Sequence, residues 1–191
     1  MTSTSRPELE RCARCLLPRR TCMCAEIRPI AHRTEVVIVR HVTEAWRSSN
    51  SGRIAALALA HARLVDHGRE GAPADLAALR APDTWLVYPE GPPRRVAPAP
   101  PPARLVFLDA TWSQAKRMRQ RLPALRGLPI LSLPIDEVPA ARLRTSPGQG
   151  RVSTIEAIAA ALRLVEGDAP AAELERLFAI MIERARASGR R

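Results

Sequence analysis

Short, strongly apolar segments that each end in polar residues dominate the first two thirds of the chain, and they limit the fold more than any other feature. EVVIVRH, at residues 35–41, is rich in β-branched residues and bounded by polar ones, which is typical of a buried strand. The same pattern predicts strands at residues 84–89, 104–109 and 128–135. Pro129 and Pro134 restrict the last of these to its ends.

Helical patterns alternate with these strands. Apolar residues recur at helical spacing in four segments, which predict helices at residues 51–66, 113–122, 154–166 and 171–187. The tract from Pro89 to Pro102 contains seven prolines in fourteen residues and is predicted to be an extended surface connection. This order of elements predicts an α/β fold with a mainly parallel sheet and helices on both faces.

All four cysteines of the 191-residue chain lie within thirteen residues. A CxxC pair precedes a CxC pair, and this spacing brings four thiolates within reach of one tetrahedral ion. We therefore predict a structural zinc site rather than two disulfides, a redox pair or an iron–sulfur cluster, and a small zinc-binding knuckle at residues 1–30 before a main domain at residues 31–191. The predicted ligands are Cys12, Cys15, Cys22 and Cys24.

The chain carries a formal net charge of +11, which favours a polyanionic partner such as nucleic acid. Aromatic residues make up only 3%, so a module that stacks bases on several aromatic side chains is not expected. No segment is apolar enough to span a membrane, and the first residues lack the apolar core of a signal peptide. We therefore expect a cytoplasmic protein that does not associate with membranes.

Polar side chains follow three of the predicted strands, where α/β proteins bind their ligands. They are His41, the pair Tyr88 and Pro89, and the stretch from Asp109 to Trp112. Asp109 and Thr111 have a structural alternative as helix N-caps, and Trp112 has one as a packing residue.

A glycine loop at residues 146–150 precedes the predicted helix at 154–166, and it offers backbone amides to an anion. Ser153 and Glu156 have the spacing of a capping box at the start of that helix. Basic residues border the same predicted pocket on both sides and favour nucleic-acid binding; those selected as RNA contacts are Lys116, Arg117, Arg144 and Arg151.

These motifs, in this order, resemble the DTW-domain family, which is named for Asp-x-Thr-Trp and is represented here by Asp109-Ala110-Thr111-Trp112. The resemblance extends from about Arg11 to Glu166. It also includes the cysteine cluster, His41 with Glu44, Asn50 with Arg53, Tyr88-Pro89 and the segment from Ser153 to Ala157.

The resemblance implies a SPOUT-like fold with a trefoil knot and a tRNA-uridine aminocarboxypropyltransferase. Such an enzyme transfers the 3-amino-3-carboxypropyl group of S-adenosylmethionine to the ring nitrogen of a uridine and releases methylthioadenosine. The alternatives are a SPOUT-type RNA methyltransferase and a non-catalytic RNA-binding protein.

Roles for single residues follow from the same resemblance. Asp109, as general base or orienting group, Thr111 and Trp112 are the expected catalytic residues. Asn50 and Arg53 join the RNA contacts given above. The expected S-adenosylmethionine-binding residues are His41, Tyr88, Pro89, Leu133, Ser153, Thr154 and Glu156.

Overall fold

The computed structural model describes residues 11–134 and 152–187. Its strands are β1 (Glu35–His41), β2 (Ala62–His67), β3 (Thr84–Val87), β4 (Arg104–Asp109) and β5 (Ile130–Leu131). Its helices are α1 (Ser51–Ala58), α2 (Trp112–Arg121), α3 (Thr154–Glu166) and α4 (Asp168–Ala187). Short 3-10 turns occur at Arg19–Thr21, Cys24–Glu26, Val42–Glu44, Ala77–Arg80 and Pro123–Leu125.

The five strands form one sheet in the order β2-β1-β4-β3-β5, and every neighbouring pair is parallel. The predicted parallel α/β fold is confirmed. Since successive side chains of a strand point to opposite faces, Val36 and Ile38 pack beneath α1, α3 and α4. Val37 and Val39 face the other side, where Met118 of α2 covers them. Helices therefore lie on both faces, as predicted.

The predicted helix over residues 51–66 is wrong in its second half. α1 ends at Ala58, and β2 follows it after three residues. Leu64 and Val65 of β2 pair in register with Ile38 and Val39 of β1. β2 is an edge strand with mostly half-buried side chains, so its sequence lacks the continuous apolar run of the central strands. The pairing of β2 with β1 outweighs the helical pattern that continues from α1 into residues 62–66.

In the described part of the predicted strand over residues 128–135, only Ile130 and Leu131 form a strand. The proline-rich tract between β3 and β4 has neither helix nor strand and is mostly exposed, as predicted. α4 begins earlier than predicted, at Asp168, directly after Gly167 ends α3 with a φ of 102°.

The cysteine segment packs against the main body. Cys15, Leu17 and Met23 are buried in the same apolar cluster as Leu177 and Phe178 of α4. The guanidinium of Arg176 donates to the carbonyl oxygen of Glu26 at 3.0 Å. The division into two domains near residue 30 stays a prediction.

Within the described ranges, none of the helices combines the length and the apolar character that crossing a bilayer requires.

Candidate active site

A cleft opens at the carboxyl ends of β3 and β4, the edge at which parallel sheets bind their ligands. It encloses about 810 Å³, part of which is open to solvent. Six of the residues predicted for the site line it: Tyr88, Pro89, Trp112, Leu133, Ser153 and Thr154. Phe107, Leu108 and Ala157 contribute apolar surface between them. The cleft is thus formed by the loop after β3, the β4–α2 junction and the beginning of α3.

Trp112 is the first residue of α2, and the capping of that helix fixes its position. The N-cap is Thr111, whose Oγ1 accepts from the N–H of Gln114, while the Gln114 side chain accepts from the N–H of Thr111. Thr111 is exposed and does not line the cleft, so its described contacts are those of a helix cap. The indole of Trp112 is 37% exposed and forms part of the cleft wall.

Asp109 lies beneath the cleft rather than on its surface. Its side chain is buried, with 6% of the residue exposed, and both carboxylate oxygens accept hydrogen bonds. Asn50 Nδ2 donates to Oδ2 at 2.6 Å, and Thr154 Oγ1 donates to Oδ1 at 2.7 Å. The neighbouring Leu108 and Ala110 line the cleft, whereas Asp109 does not. The carboxylate therefore connects the start of α1 to the start of α3.

The first turn of α1 approaches this carboxylate very closely. A Cβ atom on Gly52 would lie 2.8 Å from Asp109 Oδ2 and 2.9 Å from its Cγ. Asn50 caps the same helix, since its Oδ1 accepts from the N–H of Arg53 at 2.8 Å. Ser51 adds a contact to α3, because its Oγ accepts from the N–H of Ile155 at 3.4 Å. The two helix starts are thus joined through side chains of α1, β4 and α3.

Sequence reasoning did not identify Gly52 as part of the site. Glycine is a poor helix former, so its presence in the first turn of a predicted helix indicates a close approach of the backbone to another group. The sequence therefore contained a signal for this contact.

The α3 start is capped from within. Ser153 Oγ accepts from the N–H of Glu156, and the Glu156 carboxylate accepts from the N–H of Ser153 at 2.7 Å. The predicted capping box is confirmed. Glu156 itself does not line this cleft; it borders a second, larger groove that Arg94 and Arg95 also line.

His41 ends β1 at the same edge but does not line the cleft. Its Nδ1 lies 2.8 Å from Thr43 Oγ1 and 3.2 Å from Gln114 Nε2. Gln114 Nε2 also donates to Thr43 Oγ1 at 3.0 Å. This network fastens the loop after β1 to the first turn of α2.

Tyr88 and a row of charged residues, of which Asp66 is only half-buried, lie at the carboxyl edge of the sheet. Burial, together with Glu90, raises the pKa of the Tyr88 phenol, which stays protonated at neutral pH. Beside the cleft, the buried guanidinium of Arg40 pairs with Asp66 at 2.7 Å, and Arg40 is also the register partner of Asp109. The carboxyl edge therefore carries an alternating row of acid, base and acid that the sequence did not predict.

The four predicted RNA contacts that lie within the described residues do not form one surface. Asn50 is buried against Asp109, and Arg53 Nη2 donates to the carbonyl oxygen of Ala45 at 2.7 Å. Lys116 and Arg117 are exposed on α2, beside the cleft. Arg144 and Arg151, like the glycine loop at 146–150, lie outside the described residues.

The four cysteine sulfurs form a compact group that fits a tetrahedral ion. All four lie within 4.8 Å of one another, with Cys12 and Cys24 at 3.6 Å and Cys15 and Cys22 at 3.7 Å. A zinc ion with Zn–S bonds of about 2.3 Å requires sulfur separations of about 3.8 Å. Backbone hydrogen bonds, first from Cys15 and then from Arg14, lower the pKa of the Cys12 thiol to about 6, whereas burial raises the pKa of the Cys15 and Cys24 thiols, so the fit to an ion rests on the sulfur geometry. The cluster thus fits a four-thiolate metal site.

An all-parallel α/β domain with a cleft at its strand ends is a ligand-binding scaffold of the kind that many enzymes use. The model of the DTW domain matches residues 9–186, and the chain belongs to that family. The resemblance drawn from the motifs is confirmed.

Three curated relatives cover most of the chain. The tRNA-uridine aminocarboxypropyltransferase 2 of Drosophila melanogaster is 31% identical, over 82% of this chain and 66% of its own. The tRNA-uridine aminocarboxypropyltransferase A of Arabidopsis thaliana is 28% identical, over 92% and 79%. The tRNA-uridine aminocarboxypropyltransferase 2 of Mus musculus is 28% identical, over 84% and 57%. This chain thus spans just under two thirds of the fly protein and little more than half of the mouse one. No solved structure matches it.

Proposed function

We propose that this protein transfers the 3-amino-3-carboxypropyl group of S-adenosylmethionine to the ring nitrogen of a uridine in tRNA, with release of methylthioadenosine. The observation that carries the proposal is the cleft walled by Trp112 in a DTW-domain chain whose curated relatives are named for this transfer. A relation to the SPOUT class with its trefoil knot, and a cytoplasmic location, belong to the same proposal.

The lining of the cleft suits a nucleoside that carries a positive sulfur. Trp112 and Tyr88 offer aromatic surface to a cation, and Pro89, Leu133 and Phe107 offer apolar surface to a purine ring. S-adenosylmethionine supplies an electrophilic carbon next to its sulfonium, and the adenosine thioether is the leaving group. The residues of the cleft have to orient that carbon toward the uracil, and alignment of this kind supplies several kcal/mol of rate acceleration.

The beginning of α3 is suited to the anionic end of the co-substrate. Ser153 and Thr154 line the cleft at the positive end of the helix dipole of α3. Thr154 is also bonded to Asp109, which fixes the orientation of its hydroxyl. His41 and Glu156 do not line the cleft. They would act only by positioning the loop after β1 and the beginning of α3, respectively.

Asp109 is better placed to position the cleft than to take a proton directly. A general base must reach the proton that it removes, and both oxygens of Asp109 already accept hydrogen bonds from Asn50 and Thr154. We therefore infer that Asp109 sets the positions of the α1 and α3 starts around the cleft. As a base it would first have to exchange one of these partners for the uracil.

The charge of the protein supports a tRNA partner. The chain has a net charge of +11, and Lys116 and Arg117 are exposed on α2, next to Trp112. Arg144 and Arg151 remain proposed contacts. The cysteine cluster is proposed to hold a structural zinc ion, because four thiolates would leave the metal no open position for chemistry.

The direct test is product analysis with purified protein, unmodified tRNA and S-adenosylmethionine. Mass spectrometry of the nucleosides should detect aminocarboxypropyl-uridine, and the small-molecule fraction should contain methylthioadenosine in equal amount. S-adenosylhomocysteine in its place would establish the methyltransferase alternative. Tight tRNA binding without either product would favour the non-catalytic alternative.

Asp109→Asn then separates the two roles of the carboxylate. An Asn side chain keeps an acceptor for Asn50, and its amide can donate to Thr154 Oγ1, so the fold should persist. A positioning role predicts that much of kcat remains. A general-base role predicts a loss of about 10²-fold or more and the disappearance of the acidic limb of the pH profile.

A further inference from the structure

Trp46 is exposed in a place where its neighbours are held firmly. Its side chain is 73% exposed, compared with 37% for Trp112 at the cleft. It lies in the loop between β1 and α1, so it sits at the same sheet edge as the cleft. Full burial of a large apolar side chain contributes about 1.5–3 kcal/mol to the free energy of unfolding, and the exposed Trp46 does not make this contribution.

The backbone on both sides of Trp46 is fixed by hydrogen bonds. The buried Ala45 accepts from Arg53 Nη2 at 2.7 Å, and Trp46 itself accepts from Arg11 Nη1 at 3.2 Å through its carbonyl oxygen. The N–H of Arg47 donates to the carbonyl oxygen of Glu44 at 3.2 Å. An exposed indole on a rigid backbone is a preorganised surface, which binds a flat partner at low entropic cost.

Two arginines, Arg11 and Arg47, lie beside the loop of Trp46. Arg47 is exposed and pairs with Glu44, which is buried beneath it, and Arg11 reaches the loop from the cysteine segment. Arg14 of the cysteine segment is also exposed. An exposed aromatic face with arginines beside it is complementary to a base flanked by phosphates.

The loop of Trp46 is connected to the cleft. Thr43, three residues before Trp46, accepts from Gln114 in the first turn of α2, and that turn begins with Trp112. A nucleic acid whose target base enters the cleft would therefore pass near this loop. The low aromatic content excludes several stacking positions, but it leaves room for one.

We propose that Trp46 is a stacking platform for a tRNA nucleotide outside the cleft, and that the arginines of the cysteine segment, Arg11 first, contact the adjacent phosphates. This assigns an RNA-contacting role to a segment whose other features are its core packing and its cysteine cluster. The inference rests on the proposed function in one respect, namely that tRNA is the partner.

The test measures tRNA binding and steady-state kinetics for Trp46→Ala, Trp46→Leu and Trp46→Phe. Stacking of one base is worth about 1–3 kcal/mol, so Trp46→Ala should weaken tRNA binding about 5- to 150-fold. Trp46→Leu should be as weak as Trp46→Ala, and Trp46→Phe should fall between. The KM for tRNA should rise, while kcat and the KM for S-adenosylmethionine stay unchanged. Because the side chain is exposed, circular dichroism should show all three variants folded.

Arg11→Ala and Arg80→Ala form a matched pair for the charge contribution. Arg80 is exposed just before β3, at the opposite edge of the sheet. Arg11→Ala should lower the slope of log K against log salt concentration by about 1, and Arg80→Ala should leave it unchanged.

An unchanged tRNA Kd in Trp46→Ala would overturn the inference. Transfer activity that persists at the parent kcat and KM in that variant would refute the inference but leave the proposed function intact. If tRNA binding depends on Trp46 but the protein has no transfer activity, the inference is supported and the proposed function is refuted.

Discussion

Replacement of Gly52 by alanine is the sharpest structural test of how the site is assembled. A Cβ atom there would lie 2.8 Å from Asp109 Oδ2, 2.9 Å from Cγ and 3.3 Å from Oδ1. The carboxylate cannot move away freely, because Asn50 and Thr154 hold it at 2.6 Å and 2.7 Å. The substitution therefore forces α1 and β4 apart or breaks these hydrogen bonds.

The size of the effect follows from two opposing contributions. Alanine is favoured over glycine within a helix by about 0.5–1 kcal/mol. A hydrogen bond to a charged group contributes about 1.5–3 kcal/mol. If both bonds to Asp109 are lost, the free energy of unfolding should fall by about 2–5 kcal/mol, and if one is lost, by about 0.5–2 kcal/mol.

A double-mutant cycle with Asp109→Ala isolates the contact. Urea unfolding gives the free energy for the parent, each single variant and the pair. In the Asp109→Ala background the carboxylate is absent, so Gly52→Ala should be neutral or slightly stabilising. Transfer activity should also fall in Gly52→Ala, because Thr154 lines the cleft and loses its partner. This reasoning would be refuted if Gly52→Ala lowered the free energy of unfolding equally in both backgrounds. It would also be refuted if Gly52→Ala raised the free energy of unfolding of the parent protein.

Three further predictions concern other parts of the molecule. Cys12→Ser should lower the zinc content measured by mass spectrometry and the free energy of unfolding by several kcal/mol, with no selective loss of kcat in the folded fraction; full metal occupancy would contradict the four-thiolate site. Burial alone would raise the pKa of Glu166, but hydrogen bonds from the N–H groups of Arg33 and Thr34 outweigh it and lower that pKa below 4.5. Glu166→Gln should therefore destabilise the protein by about 1 kcal/mol at pH 7, and this difference should vanish as the pH falls through the lowered pKa; denaturation curves that differ equally at pH 3 and pH 7 would show that ionisation is irrelevant. Trp112→Ala should raise the KM for S-adenosylmethionine at least several-fold, with Trp112→Phe in between, and an unchanged KM would remove this indole from the co-substrate site.

Local patterns were sufficient for the parallel sheet and for the edge that carries the site. β1 and β4 are buried on both faces, and such strands have continuous apolar sequences that are easily recognised. Because parallel strands end at the same edge, the polar residues that follow them were predicted to lie together there. The cysteine spacing was equally informative, since four thiols within thirteen residues can lie close together without any long-range contact.

Edge strands are harder to predict than central ones. β2 is only half-buried and directly follows α1, so nothing in its own sequence separates it from the helix. Its strand conformation is stabilised by pairing with β1, which contributes no signal at residues 62–67 themselves.

The amino-acid sequence by itself determined the α/β class, the ligand edge, the compact cysteine cluster and, through the DTW motif, the family. Only the tertiary structure showed which groups the motif's carboxylate contacts. The partners of Asp109 are 59 and 45 residues away along the chain, and Gly52 reaches it from a third position. A buried carboxylate accepts hydrogen bonds from the donors that the fold places beside it. The sequence around Asp109 therefore does not predict that these donors are Asn50 and Thr154.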